Sequence, residues 1–587
     1  MKKQDNGGIR EDVTSGDKSS SMQRGKEKLI IYQLFPRIFT NQCDNCVPNG
    51  TLEQNGCGKF NDLKGLTLRG IKELGVNCLW LTGVIEHATK TDFSSYGIQP
   101  DNPNVVKGEA GSPYAIKDYY DVATALAVNP RKRMKEFEEC VKRIHDEGMK
   151  VIIDFVPNHT FRRYHSDSAP RGVEDFGASD DITMGFKPSN NYYYVTNQQF
   201  SPSIPLDAPG TEPYVEFPAK VTGNDCFTAF CGPYDWYETV KLNYGHDYGN
   251  GSDHFDPVPD TWFKMLNILR FWASKGVDGF RCDMVFMVPL AFWHWAIPQV
   301  KKGWPHVMFI GEIYDVGLYR PFLDYGCFDY LYDKVNLYDT LVDIETHNHS
   351  AARLTGAWQT VDGIGDRMLN FLENHDEVRF GSREYAGDPS RVIPSLVVSS
   401  MISTGPMMIY YGQELGESAR DNEGFAGDNS RSTITDYWSY DTLRRWLNKG
   451  RPSLKNLTAP ERWLRDVYRR VLTLCNERDE IRKGKFFDLM YVNLQNPEFD
   501  PHSLFSFVRY TEKGALLIVA NFSDRMQDVA VNIPDLAFDM IHFEEGEINT
   551  LNLIDDKPVR TAVRIGEPVR LTVGAKNALV IPLPVAH

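Results

Sequence analysis

No run of apolar residues in this chain reaches the length of a membrane span, which argues against a helical membrane protein. Positive charge is in deficit. Lysine and arginine number 64 against 79 acidic residues, for a net charge of −15. Nucleic acid and anionic membrane surfaces are therefore poor partners. Cysteine is sparse, ten in 587 residues. Cys78 and Cys282 lie inside apolar stretches and read as reduced core thiols. Cys43, Cys46 and Cys57 share one loop and are a candidate zinc site with no obvious fourth ligand. Cys226 and Cys231 would bridge only in an oxidising compartment. The first 28 residues are polar and lack the apolar core of a signal peptide. They read as a disordered leader, and the expected location is the cytoplasm.

What remains is ordinary globular material, 42% hydrophobic and 24% charged. The length suits a large domain with one or two smaller ones. A short pattern repeats: a helix end, a glycine, then a short apolar strand. Ile71 to Val76 leads into Cys78-Leu79-Trp80-Leu81, Ile144 to Met149 into Val151-Ile152-Ile153-Asp154, and Trp272 to Val277 into Phe280. The helix before the second case is amphipathic, with Met134, Phe137, Val141 and Ile144 on one face. Alternating helices and buried strands predict parallel βα units. With strands at 29–35, 306–310, 328–331, 368–372 and 406–410, the count is eight, enough to close a (β/α)8 barrel over 29–482. Residues 160–260 break the rhythm and read as an inserted subdomain after strand three. Short strands separated by turns after about 482 predict an antiparallel β-sandwich over 483–587.

In such a barrel, chemistry sits where strands end. Strand three ends Asp154-Phe155-Val156-Pro157-Asn158-His159. Strand four carries Arg281 and Asp283 on one face, strand five ends Gly311-Glu312, and strand seven ends Asn374-His375-Asp376. Arg-x-Asp alone reads as a core ion pair. Four strands bringing carboxylates or imidazoles to one rim read as a site. Glycoside hydrolysis needs this: one carboxylate to attack, one protonated carboxyl to release the leaving oxygen, and a third to favour the cationic ring. Separate strands allow separate proton affinities.

These segments resemble the four short motifs of the α-amylase family of retaining glycoside hydrolases (family 13), in the family's order. The likeness covers about residues 29–587. It implies that Asp283 is the nucleophile and Glu312 the general acid and base. Asp376 would stabilise the distorted ring, and Arg281 would orient Asp283. His159 and His375 would donate to the sugar in the −1 subsite. Tyr114, with Asp118 four residues on, matches the stacking tyrosine. Asp154 would support Arg281. The implied substrate is an α-1,4-glucan of the starch, glycogen or maltodextrin type, handled by a monomer or homodimer.

The resemblance requires no cofactor for the chemistry but implies a Ca2+ ion near Asn158. The usual partner position is Met287 here, preceded by Phe286, and a thioether is a poor calcium ligand. Asp44 and Asn45 are an alternative place for an ion. Val240-Lys241-Leu242-Asn243 resembles the neopullulanase version of a fifth motif, whereas Glu373-Asn374-His375-Asp376 leans towards α-amylases. Transglycosylation, α-1,6 cleavage and trehalose-like substrates therefore stand as alternatives. A non-catalytic glucan-binding barrel predicts loss of a carboxylate, and none is lost. Tyr192-Tyr193-Tyr194 and Trp236-Tyr237 either line a glucan groove or pack the insertion's own core.

Overall fold

In the computed structural model, residues 27–586 are described. The leader expected over 1–28 lies outside them, save its last two residues. Lys28 belongs to the fold. It is buried, and its Nζ donates to Ser403 O at 2.6 Å.

Eight parallel strands close a barrel in sequence order: Ile30–Leu34, Cys78–Leu81, Lys150–Phe155, Gly279–Cys282, Met308–Gly311, Tyr330–Tyr332, Met368–Phe371 and Met407–Tyr410. Ile30 opposite Met407 closes the ring. Most strand residues are buried, so the segments are apolar on both faces, as a sheet covered by helices requires. The fifth strand starts at Met308 rather than His306, which is exposed.

The helix–glycine–strand pattern has a common backbone cause. Gly75, Gly148 and Gly276 have φ of +93°, +75° and +91°. Each turns the chain left-handed off a helix end, a conformation costly to any residue with a Cβ. At Gly75 a Cβ would also lie 2.9 Å from the Leu472 carbonyl carbon. The helix Arg133–Asp146 turns Phe137, Cys140, Val141 and Ile144 onto the barrel.

Residues 160–260 form short two-stranded pieces instead of a helix. His159–Phe161 pairs with Thr239–Lys241, and Tyr194–Val195 with Ala219–Lys220. Phe161, Phe200, Tyr214 and Tyr237 share a small core of their own. Tyr192, Tyr193, Tyr194 and Tyr237 are buried; Tyr237 joins the insertion's own core, whereas Tyr192 and Tyr194 join the large core shared with the barrel. Trp236 is half-buried, its ring 5.3 Å from that of His159.

The C-terminal part is antiparallel. Lys485–Asp488, Leu504–Thr511, Gly514–Asn521 and Asn577–Leu583 make one sheet, flanked by ribbons such as Gln527–Val531 with Val569–Val573. Buried Arg509 ties it to the barrel, donating to Glu480 O, Ile481 O, Gly484 O and Ile402 O. Among the described residues no helix is long and apolar enough to cross a membrane. All ten cysteines are free thiols, Cys226 and Cys231 included.

Candidate active site

The first polar residue to place is Arg281, because no part of it reaches solvent. It leaves the fourth strand inside the barrel mouth. Its NH1 donates to Asp283 Oδ1 at 2.7 Å, and its NH2 lies 2.7 Å from Glu312 Oε1. NH1 also reaches Asp154 Oδ1 at 3.5 Å, and Nε donates to Tyr332 Oη at 3.1 Å. One planar guanidinium thus spans carboxylates from strands three, four and five. Only an arginine has donors enough, in a rigid plane, for this task.

Two forces act on Asp283. Burial, and then the neighbouring Glu312 charge, push its proton affinity well above the usual carboxylate range; Arg281 pulls it back. The backbone next to it is constrained, since Met284 has φ of +43°. The reason is visible: Met284 N donates to Glu312 Oε2 at 2.8 Å. Tyr314 donates its hydroxyl to Glu312 Oε1 at 2.6 Å. Glu312 is therefore held through both oxygens, with its plane fixed.

Asp154 is buried, which pushes it up to about 7, against the pull of Arg281. Its closest donor is Trp80 Nε1, at 3.0 Å. The expected support of Arg281 by Asp154 is thus a long contact, and Asp154 chiefly anchors Trp80 and Tyr114, whose hydroxyl stands 3.3 Å away.

His375 arrives from strand seven. Gln33 Nε2 lies 2.9 Å from its Nδ1. An amide N–H can only donate, so Nδ1 accepts and Nε2 carries the proton. That Nε2 faces the Tyr114 hydroxyl and Asp376 Oδ2, the latter at 3.0 Å. Burial keeps His375 neutral, its pKa well below the usual value. The Tyr114 ring stacks on the imidazole, centroids 5.2 Å apart. Asp376 opens on the cleft, its side chain 40% exposed.

His159 obeys the same logic. Burial, with Lys241 nearby, drops it to about 3. Asn158 Nδ2 lies 3.1 Å from its Nδ1, so Nδ1 accepts and Nε2 carries the proton, turned towards the Tyr114 carbonyl.

The calcium expected at Asn158 does not fit. Asn158 Oδ1 accepts from Lys241 Nζ at 2.7 Å. The same ammonium pairs with Asp225 Oδ1 at 2.7 Å and donates to Met287 O at 3.2 Å. The oxygens a hard cation would need already surround a buried, chain-borne cation. Asp44 and Asn45, the alternative, are exposed. Nor do Cys43, Cys46 and Cys57 converge: their thiols face Gln54 O, Ser439 O and Gly58 O respectively.

Every site residue expected from sequence gathers at this rim, Asn158 holding His159 and Lys241 instead of an ion. Gln33, Trp80, Tyr314, Tyr332 and Lys241 were not expected. Gln33 carried a signal, being the one polar side chain in an apolar strand. Tyr314 sits two residues beyond Glu312. Lys241 lies in the Val240–Asn243 stretch that resembles the fifth motif, although no role was read for it; Trp80 and Tyr332 gave no signal.

Comparison with known proteins agrees. Residues 33–470 match the family described as the α-amylase catalytic domain. An α-glucosidase of Apis mellifera is 24% identical, covering 86% of each chain. A cyclomaltodextrin glucanotransferase of Bacillus licheniformis is 23% identical over 75% of this chain and 56% of its own length. The crystal structure of an α-amylase from H. orenii superposes with a TM-score of 0.61 at 19% identity, over 95% of this chain and all of that one. The match over most of the chain and the carboxylate-bearing barrel rim lead to one conclusion: this chain belongs to the α-amylase family and is a glycoside hydrolase.

Proposed function

We propose that the protein hydrolyses α-1,4-glucosidic bonds of starch, glycogen or maltodextrin-type glucans with retention of anomeric configuration. The observation that carries the reading is Arg281 holding Asp283 and Glu312 at 2.7 Å each. One shared guanidinium keeps an ionised nucleophile beside a carboxyl that must carry a proton, without burying two uncompensated charges.

Asp283 attacks the anomeric carbon of the sugar in the cleft, forming a covalent glycosyl ester. Glu312 gives its proton to the departing glycosidic oxygen. Its carboxylate then takes a proton from water, which attacks the ester carbon and frees Asp283. Tyr314 and Met284 N hold Glu312 in plane for both transfers. In this reading neutral His159 and His375 bind sugar hydroxyls through Nε2–H, His375 exchanging its contact with Asp376 for the sugar. Asp376, open to the cleft, accepts hydroxyl hydrogens and favours the positive charge that builds on the ring. Tyr114 offers its ring face to the same sugar.

Transglycosylation passes through the same ester, with a sugar hydroxyl replacing water. The named glucanotransferase relative keeps that reading in view. Incubation with maltoheptaose separates the two. Wild type should release α-anomeric maltooligosaccharides by proton NMR, and Asp283→Asn should be inert. Products longer than the substrate would convert the assignment to a transferase. Inertness of the wild type on maltoheptaose, pullulan and trehalose would end the glucan reading.

A further inference from the structure

Away from the carboxylates at the barrel mouth lies a second acidic group with no role in that chemistry. After barrel strand two the chain makes a hairpin, Ile85–His87 against Ile116–Val122. Glu86 stands opposite Asp118 across it. Glu86, Asp118 and Asp121 are all buried, and each offers a ligand oxygen within 4.8 Å of the others.

The charges around them do not balance. Arg133 is committed to Asp121, with Nε donating at 2.8 Å. Lys117 is committed to Asp101 at 3.2 Å. Among the described residues Asp118 takes only neutral donors: Ser166 Oγ at 2.6 Å, Tyr120 N at 2.8 Å and Ser168 N at 3.1 Å. Glu86, 4% exposed, leaves Oε2 buried with no hydrogen-bond partner among the described residues. Thr124 Oγ1 is likewise buried and unpartnered. Both residues line one cavity of about 30 Å3, which Lys117 and Arg37 also line and which Asp118 and Asp121 adjoin only through Glu86.

Two buried carboxylates without a cation, one with an orphaned oxygen, are expensive unless a proton or a metal neutralises them. Burial raises both, Asp118 to about 6 and Glu86 well above its usual range. Three carboxylate oxygens at this spacing suit a hard cation with oxygen ligands. The larger Ca2+ tolerates opposing oxygens up to about 5 Å apart, and Mg2+ about 4 Å.

We propose that Glu86, Asp118 and Asp121 form a binding site for one hard divalent cation, Ca2+ in preference to Mg2+. Its location gives it a purpose. The hairpin's second strand follows directly on Tyr114. Tyr119, in the same strand, donates its hydroxyl to Val156 O and His159 O, at the end of the third barrel strand. A bound cation pins the segment that presents Tyr114 to the site.

The test uses full-length protein. Metal content is measured after gel filtration by mass spectrometry. EDTA-stripped protein is then titrated with CaCl2 or MgCl2 alone, by calorimetry and thermal melting. Wild type should bind one Ca2+ per chain and lose several degrees of Tm on stripping, with Ca2+ restoring them. Glu86→Gln, which removes the unpaired charge but keeps the shape, should bind at least tenfold more weakly, with a Tm indifferent to EDTA. Asp118→Asn is the second variant and should behave alike. The proposal is overturned if no ion binds the wild type, if Mg2+ binds the tighter of the two, or if both variants bind Ca2+ as wild type does, which would place the ion elsewhere.

Discussion

Replacing Arg281 by lysine keeps the charge and removes the geometry, so it separates the two. The guanidinium contacts Asp283 and Glu312 at 2.7 Å, Tyr332 at 3.1 Å and Asp154 at 3.5 Å. A lysine ammonium is a point on a flexible stem and can serve one carboxylate well. Whichever it leaves is buried and short of a cation. Each charge-assisted hydrogen bond lost costs roughly 1.5–3 kcal/mol, more when the stranded group cannot reach water. The protein will relieve this by taking up a proton, and Asp283, already pushed upward by burial and Glu312, is the place for it. A protonated nucleophile is inactive. Preorganised electrostatic contacts of this kind are typically worth about 100- to 1000-fold in rate. Arg281→Lys should therefore lower kcat on maltoheptaose by about that factor, with KM changed less than about tenfold. The acid limb of the kcat/KM profile should move to higher pH. Circular dichroism should stay that of the wild type. A kcat within threefold of wild type, or an acid limb that does not move, would refute the idea that Arg281 acts through its shape.

Three further tests follow from the same geometry. Tyr314→Phe removes the 2.6 Å donor to Glu312; a net bond of about 1 kcal/mol predicts a roughly fivefold loss of kcat, while stability changes little. Lys241→Met strands Asn158 Oδ1 and half-buried Asp225; unfolding in urea should show a loss of about 1–3 kcal/mol, and KM should rise because His159 rests on Asn158. Buried His87 and His159, both lowered to about 3 chiefly by burial, bind protons in the unfolded chain at about 6.5 but not in the fold. Their contribution is intact above pH 6.5 and falls as pH drops towards 3, by up to about 2 kcal/mol each at pH 5. His159→Gln should flatten the slope of unfolding free energy against pH in that window.

The eight barrel strands were legible because both faces are buried, which writes them as short apolar runs, and because a left-handed glycine marks three of the entries. Strand boundaries were less so: His306 is apolar enough in context to extend the fifth strand, yet it is exposed. The polar strand ends that gather at the rim were legible because each lies in one contiguous stretch. What was not legible joins distant parts of the chain. Tyr332 meets Arg281 across 51 residues and Gln33 meets His375 across 342. No spacing rule announces such pairs; they exist because the barrel closes. The calcium expected at Asn158 failed for a related reason. The motif names one oxygen, but what sits opposite is decided by the insertion, whose short strands place Lys241 beside His159.

That lysine changes how the insertion is fastened to the barrel. A dissolved ion holds two pieces of protein only in proportion to its concentration, and leaves when a chelator or a dilute medium removes it. An ammonium carried on the backbone is present at unit stoichiometry from the moment the chain folds. The joint at Asn158 is therefore indifferent to the mineral content of its surroundings and cannot be used to sense it. Its strength is written into the gene instead, and one codon change is enough to loosen it.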